Sequence, residues 1–147
     1  MAEHNIIGQK GEQIAVETMR KKGFRVVDTN WKFGHLEMDV IAVNRKEIAF
    51  VEVKTRTSSF GDKRPEEFVD ELKRRRMAAA ANAYIKIHQI ELVPRFDIIG
   101  ISMDPNTYEV KELTHLEDAF LPPQRTIGKS SFSGQGRWKH RGRVIGK

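Results

Sequence analysis

The stretch Leu36 to Thr55, LEMDVIAVNRKEIAFVEVKT, decides how this chain is read. It holds two β-rich runs, Leu36 to Val43 and Ile48 to Thr55, with the polar break Asn44 to Glu47 between them. Strand alternation puts Glu37, Asp39 and Ile41 on one face of the first run and Met38, Val40 and Ala42 on the other. In the second run Phe50, Glu52 and Lys54 share a face, with Val51, Val53 and Thr55 opposite. A hairpin turning about Arg45 and Lys46 then sets Asp39 opposite Glu52 and Glu37 opposite Lys54, with facing Cβ atoms about 4.5 to 5.5 Å apart.

Two facing carboxylates repel unless a positive charge lies between or beside them. A divalent cation supplies it, and hard oxygen ligands favour Mg²⁺ or Mn²⁺ over zinc. The division of labour that follows gives Asp39 and Glu52 to the metal, together with the backbone carbonyl of Val53, whose side chain stays in the core. Lys54 positions a water nucleophile or a phosphate and stabilises the charge that develops. The catalytic candidates are therefore Asp39, Glu52 and Lys54, and the chemistry is phosphodiester hydrolysis.

Outward from this hairpin, Asn5 to Lys22 reads as a helix carrying Ile6, Ile7, Ile14, Ala15 and Met19, ended by Gly23 and interrupted by Gly8 and Gly11. Phe24 to Thr29 is a further strand, which makes a three-stranded meander with the hairpin. After a loop, Pro65 suits the first position of a long helix to about Ile87, with Phe68, Leu72, Ala79, Ala80, Ala83 and Ile87 as its apolar stripe. Arg95 to Ser102 and Tyr108 to Leu113 read as strands joined by a turn at Asp104, Pro105 and Asn106. A long helix between strands serves as a crossover, so the fold class is α/β, a mixed sheet covered by helices. Residues 1–121 form one domain, and 122–147 form a basic tail expected to be disordered when alone.

The chain of 147 residues has no cysteine, which excludes a disulfide framework and thiolate zinc sites and fits a cytoplasmic address. Neither a signal peptide nor a membrane-spanning run is visible. The net charge of +6 is uneven, because 122–147 carries seven Lys or Arg and no acid. A basic chain is drawn to polyanions, with nucleic acid the partner of choice. Arg56, on the Lys54 face, is a candidate phosphate contact. The run Lys73 to Arg76 wraps most of a helical turn, so only one or two of its members face a ligand, Lys73 among the candidates. In the tail, Arg137, Trp138 and Lys139 combine charge with an aromatic ring able to stack on bases.

With these residues in place, the chain resembles the YraN-like family of uncharacterised bacterial proteins, themselves similar to archaeal Holliday-junction resolvases of the PD-(D/E)xK nuclease superfamily. The resemblance rests on Gly11-Glu12 with Ala15, Gly23, Asn30, Glu37 to Ala42, Phe50 to Arg56, and Arg95-Phe96-Asp97. It implies a restriction-endonuclease-like sheet and a metal-dependent endonuclease acting on DNA, branched or otherwise structured. Asp39, Glu52 and Lys54 match the superfamily's acid, acid and lysine, and Glu12 matches a helix glutamate that assists metal binding. The resemblance also implies a homodimer. The family's glycine before the central glutamate is replaced by Leu36 here, with Gly34 and His35 just upstream. The competing expectation is a non-catalytic nucleic-acid-binding module that retains the nuclease fold.

Overall fold

The computed structural model describes residues 2–59, 61, 67 and 69–121. The elements run α1 (Ala2–Lys21), β1 (Arg25–Phe33), β2 (Leu36–Val43), β3 (Glu47–Arg56), α2 (Glu71–His88), β4 (Val93–Met103) and β5 (Val110–Phe120). The strands form one five-stranded sheet in sequence order. All neighbours pair antiparallel except β3 and β4, which are parallel and joined through α2. The expected meander and helical crossover are both present.

Local chemistry explains the ends of these elements. The first helix, α1, stops where Gly23 takes φ 92°, with Phe24 N–H donating to the Met19 carbonyl and Gly23 N–H to that of Arg20. Asn44 builds the β2–β3 turn: its side-chain oxygen accepts from the N–H groups of Lys46 and Glu47. Asp104 does the same for Asn106 and Thr107 between β4 and β5.

The sheet has a helix on each face. One layer packs Ile41, Val43, Ile48, Phe50, Phe96 and Ile98 against Met77, Ala80, Ala81 and Tyr84 of α2. The other packs Val40, Ala42, Ala49, Val51, Ile99 and Ile101 against Ala15 and Met19 of α1.

Three expectations are corrected. The second helix begins at Glu71, because the Asp70 carboxylate accepts from Lys73 N–H at 2.8 Å and caps it; Pro65 and Phe68 lie outside the described residues. Its buried stripe is Met77, Ala80, Ala81 and Tyr84, while Leu72 and Ile87 are 55 % and 53 % exposed. Strands β1 and β5 each run further than their composition announced, since antiparallel neighbours complete their backbone hydrogen bonds. The segment 122–147, with Arg137, Trp138 and Lys139, lies outside the described residues.

Candidate functional site

The hairpin register is the one the sequence implied, with Val40 facing Val51, Ile41 facing Phe50, Ala42 facing Ala49 and Val43 facing Ile48. It stops there. The expected backbone pairings of Asp39 with Glu52 and of Glu37 with Lys54 do not form. Instead the Asp39 carboxylate accepts the N–H of Val53 at 2.8 Å, a side chain standing where a strand carbonyl would otherwise be. A strand residue's N–H and C=O point the same way. The Val53 carbonyl is therefore directed to the Asp39 side as well.

Strand β2 bends where this happens. Met38 packs with Ile41 and Val43 on the α2 side, while Val40 and Ala42 face α1, so the alternation slips by one place at Asp39. The expected grouping of Glu37, Asp39 and Ile41 on one face is thereby corrected. Across from the slip, Asn30 adopts φ 50°, the left-handed region that asparagine tolerates, between the pairs Thr29 with Val40 and Trp31 with Met38.

On the α2 side Glu52 is 5 % exposed, and Lys73 Nζ lies 3.5 Å from its Oε2. Lys73 stands in the first turn of α2, three residues after the capping Asp70. Lys73, expected to contact phosphate, is thus paired with a carboxylate of the site. The neighbouring basic residues turn elsewhere: Arg74 Nε donates to the Val69 carbonyl and Arg75 pairs with Glu71. Lys54 shares the Glu52 face, half-buried, and faces Gly100 of β4, which has no side chain to crowd it.

Burial pushes the Asp39 carboxyl above the ordinary aspartate value, while the Val53 N–H, the Lys73 charge and a hydrogen bond from Glu52 pull it back. Glu52 is pushed up to about 7 by burial first and by the Asp39 charge second, with Lys73 and Lys54 pulling it down. Two acids sharing a small buried volume hold a proton more tightly than either would in water.

The other side of Asp39 opens into a cleft of about 310 Å³ bordered by Gly8, Glu12, Asn30, Asp39, Val53 and Thr55. A Cβ at Gly11 would collide with the Thr55 side chain, so glycine is what allows α1 to lie this close to β3. That approach brings Glu12 to the cleft, with its Oε2 buried and lacking a hydrogen-bond partner among the described residues. A buried carboxylate oxygen left unpaired is costly and calls for a cation or donor. Among the described residues, no three His, Asp or Glu side chains converge closely enough to cage a metal by themselves. The oxygen donors here are two carboxylates, the Val53 carbonyl and Glu12 at the cleft wall.

Of the remaining sequence candidates, Arg56 ends β3 in register with Ser102, while Glu37 and His35 are exposed at the β1–β2 hairpin. Lys73 was legible only with the helix start known: capping by Asp70, rather than by the Pro65 region, is what turns it towards Glu52.

The Uncharacterised protein family UPF0102 matches residues 11–101. The chain belongs to UPF0102. Relatives carrying that name include one from Bacteroides thetaiotaomicron, 40 % identical over 84 % of this chain and 98 % of its own length. Another, from Parabacteroides distasonis, is 42 % identical over 85 % of this chain and 100 % of its own length. A third, from Porphyromonas gingivalis, is 39 % identical over 82 % of this chain and 87 % of its own. The UPF0102 match takes in Glu12, Asp39, Glu52, Val53, Lys54 and Lys73, and ends before β5. No helix among the described residues is long and apolar enough to cross a membrane.

Proposed function

We propose that this chain is a metal-dependent endonuclease that hydrolyses phosphodiester bonds in DNA, on a restriction-endonuclease-like sheet. One observation carries the reading: the strand pairing is interrupted so that the Asp39 carboxylate lies on Val53 N–H beside the buried Glu52. Buried acids held this close are destabilising without a cation beside them.

The donor set fits Mg²⁺ or Mn²⁺, which accept one or two carboxylates plus a carbonyl and complete their shell with water. Asp39, Glu52 and the Val53 carbonyl would hold the ion, and Glu12, with its unpartnered oxygen, would anchor it from the α1 side. When bound, the ion supplies Lewis acidity and an activated water. The protein's own groups do the rest. Lys54 orients the nucleophile and offsets charge developing on the phosphate oxygens. Lys73, paired with Glu52 at 3.5 Å, would turn to phosphate with a cation held by that carboxylate. Arg56 guides the strand backbone, as do Arg137, Trp138 and Lys139 of the basic segment.

The test is cleavage of end-labelled single-stranded, duplex, flap and four-way-junction DNA with Mg²⁺, Mn²⁺ or EDTA. Wild type cuts at least one of these with metal and none with EDTA, and Asp39→Asn and Lys54→Ala cut none. A second reading, a nucleic-acid-binding module without hydrolysis, is favoured by the absence of a three-ligand side-chain cage among the described residues. It takes over if wild type binds these DNAs and cuts none with either metal.

A further inference from the structure

The pairing of β1 with β2 continues to Phe33 and Leu36, whereas β2 leaves β3 after Val40. The ends of β1 and β2 thus make a two-stranded arm flanking the end of the sheet that carries Glu52 and Lys54. At its tip, beside the Gly34–His35 turn, Phe33 is 48 % exposed. Its ring is parallel to that of Trp31 within 4°, with centroids 5.9 Å apart. Trp31 meets Tyr84 edge-on at 5.1 Å, and the Tyr84 hydroxyl donates to Asp28 at 2.8 Å.

Phe33 leaves about half of its ring to solvent at the turn. Here it is lined up with a second ring that is fixed from behind by a buried tyrosine, so its position is set rather than incidental. Flat, rigid π-surfaces of this kind suit another flat π-system. Leu36, the strand partner of Phe33, is three residues from Asp39, roughly 10 Å along the strand. That span is about three stacked nucleotides at 3.4 Å each.

We propose that Phe33, aligned with Trp31, is a stacking platform for an unpaired nucleobase of the DNA engaged at Asp39 and Glu52. The inference rests on the nuclease reading and narrows its substrate. Bases inside a duplex are stacked on both faces and offer none to a protein ring, whereas single-stranded and branched DNA does. The platform therefore selects DNA with an unpaired base a few nucleotides from the reacting phosphate.

The experiment measures anisotropy of a labelled short oligothymidine and of a matched duplex in EDTA, with the full chain as wild type, Phe33→Ala and Phe33→Trp. Phe33→Ala weakens oligothymidine binding on the order of tenfold or more, changes duplex binding far less, and Phe33→Trp restores it. Equal oligothymidine affinity for Phe33→Ala and wild type overturns the platform, as does failure of wild type to bind oligothymidine at all. Binding that depends on Phe33, in a protein that cuts no DNA with either metal, upholds the platform and removes the hydrolytic reading instead.

Discussion

Asp39 of β2 and Asp97 of β4, two acids flanking β3, meet opposite fates. Asp97 of β4 is fully buried in register with Val51 of β3, one residue from Glu52. Its Oδ2 accepts from Arg95 at 3.0 Å and faces His115 Nε2 at 2.7 Å, while its Oδ1 accepts the Asp118 N–H at 3.0 Å. Arg95 goes on to Glu47 and Glu117, and Lys22 bridges Glu117 and His115, which fastens the end of α1 to β5. Among the described residues, Asp39 and Glu52 rest instead on each other, on the Val53 N–H and on Lys73 at 3.5 Å, with Lys54 adding its charge. A closed network of charges is a structural device, and an undercompensated pair is a place prepared for something else.

Removing each acid separates the two roles most sharply. Asp39→Asn abolishes metal-dependent cleavage, by a hundredfold or more, in a protein that remains folded. Asp97→Ala removes the buried acceptor shared by Arg95, His115 and the Asp118 N–H and lowers unfolding free energy by about 3–5 kcal/mol. Urea denaturation of both variants beside the cleavage assay checks the contrast. Loss of stability in Asp39→Asn equal to that in Asp97→Ala would mean that both acids are structural.

The proton on Glu52 offers the next test. Its folded value of about 7 is raised from 4.5, so the folded state binds a proton that the unfolded chain has released. The stability this contributes is complete below about pH 4.5 and is lost as pH rises through about 7, by an amount on the order of 3 kcal/mol. Glu52→Gln removes that loss, and the metal-free variant is more stable than wild type at about pH 8, as thermal unfolding in EDTA will show. A cation competes with the same proton, so Mn²⁺ affinity measured by calorimetry falls about tenfold per pH unit below about 7. An affinity flat across this range detaches the metal from Glu52.

The sequence disclosed these two acids unequally. Strand alternation and a short turn gave the β2–β3 register correctly, because that register depends only on local pattern and loop length. They could not disclose that pairing ends at Asp39, since the slip near Asn30 arises from a left-handed residue on a different strand. The pairing of Lys73 with Glu52 was hidden for a similar reason: it depends on where α2 starts, which Asp70 sets by capping. The Asp97 pairing with Arg95 was legible, being two residues apart on one face of one strand. Its links to His115 and Lys22 join distant parts of the chain and were not.

The smallest expected effect tests how Glu12 reaches the cleft. At an ordinary helix position, Gly→Ala stabilises by about 1 kcal/mol. At Gly11 the added methyl would overlap the Thr55 side chain, chiefly its Cγ2. Overpacking of this kind costs about 1–3 kcal/mol, so Gly11→Ala destabilises where propensity alone says the reverse. Thr55→Ser deletes the offending methyl, and the double variant Gly11→Ala with Thr55→Ser recovers most of the loss in a double-mutant cycle. Because α1 is displaced in Gly11→Ala, Glu12 moves with it, and Mn²⁺ affinity falls in that variant and returns in the double. If stability is restored while metal affinity never changed, close packing of α1 on β3 is architecture alone and Glu12 holds no cation.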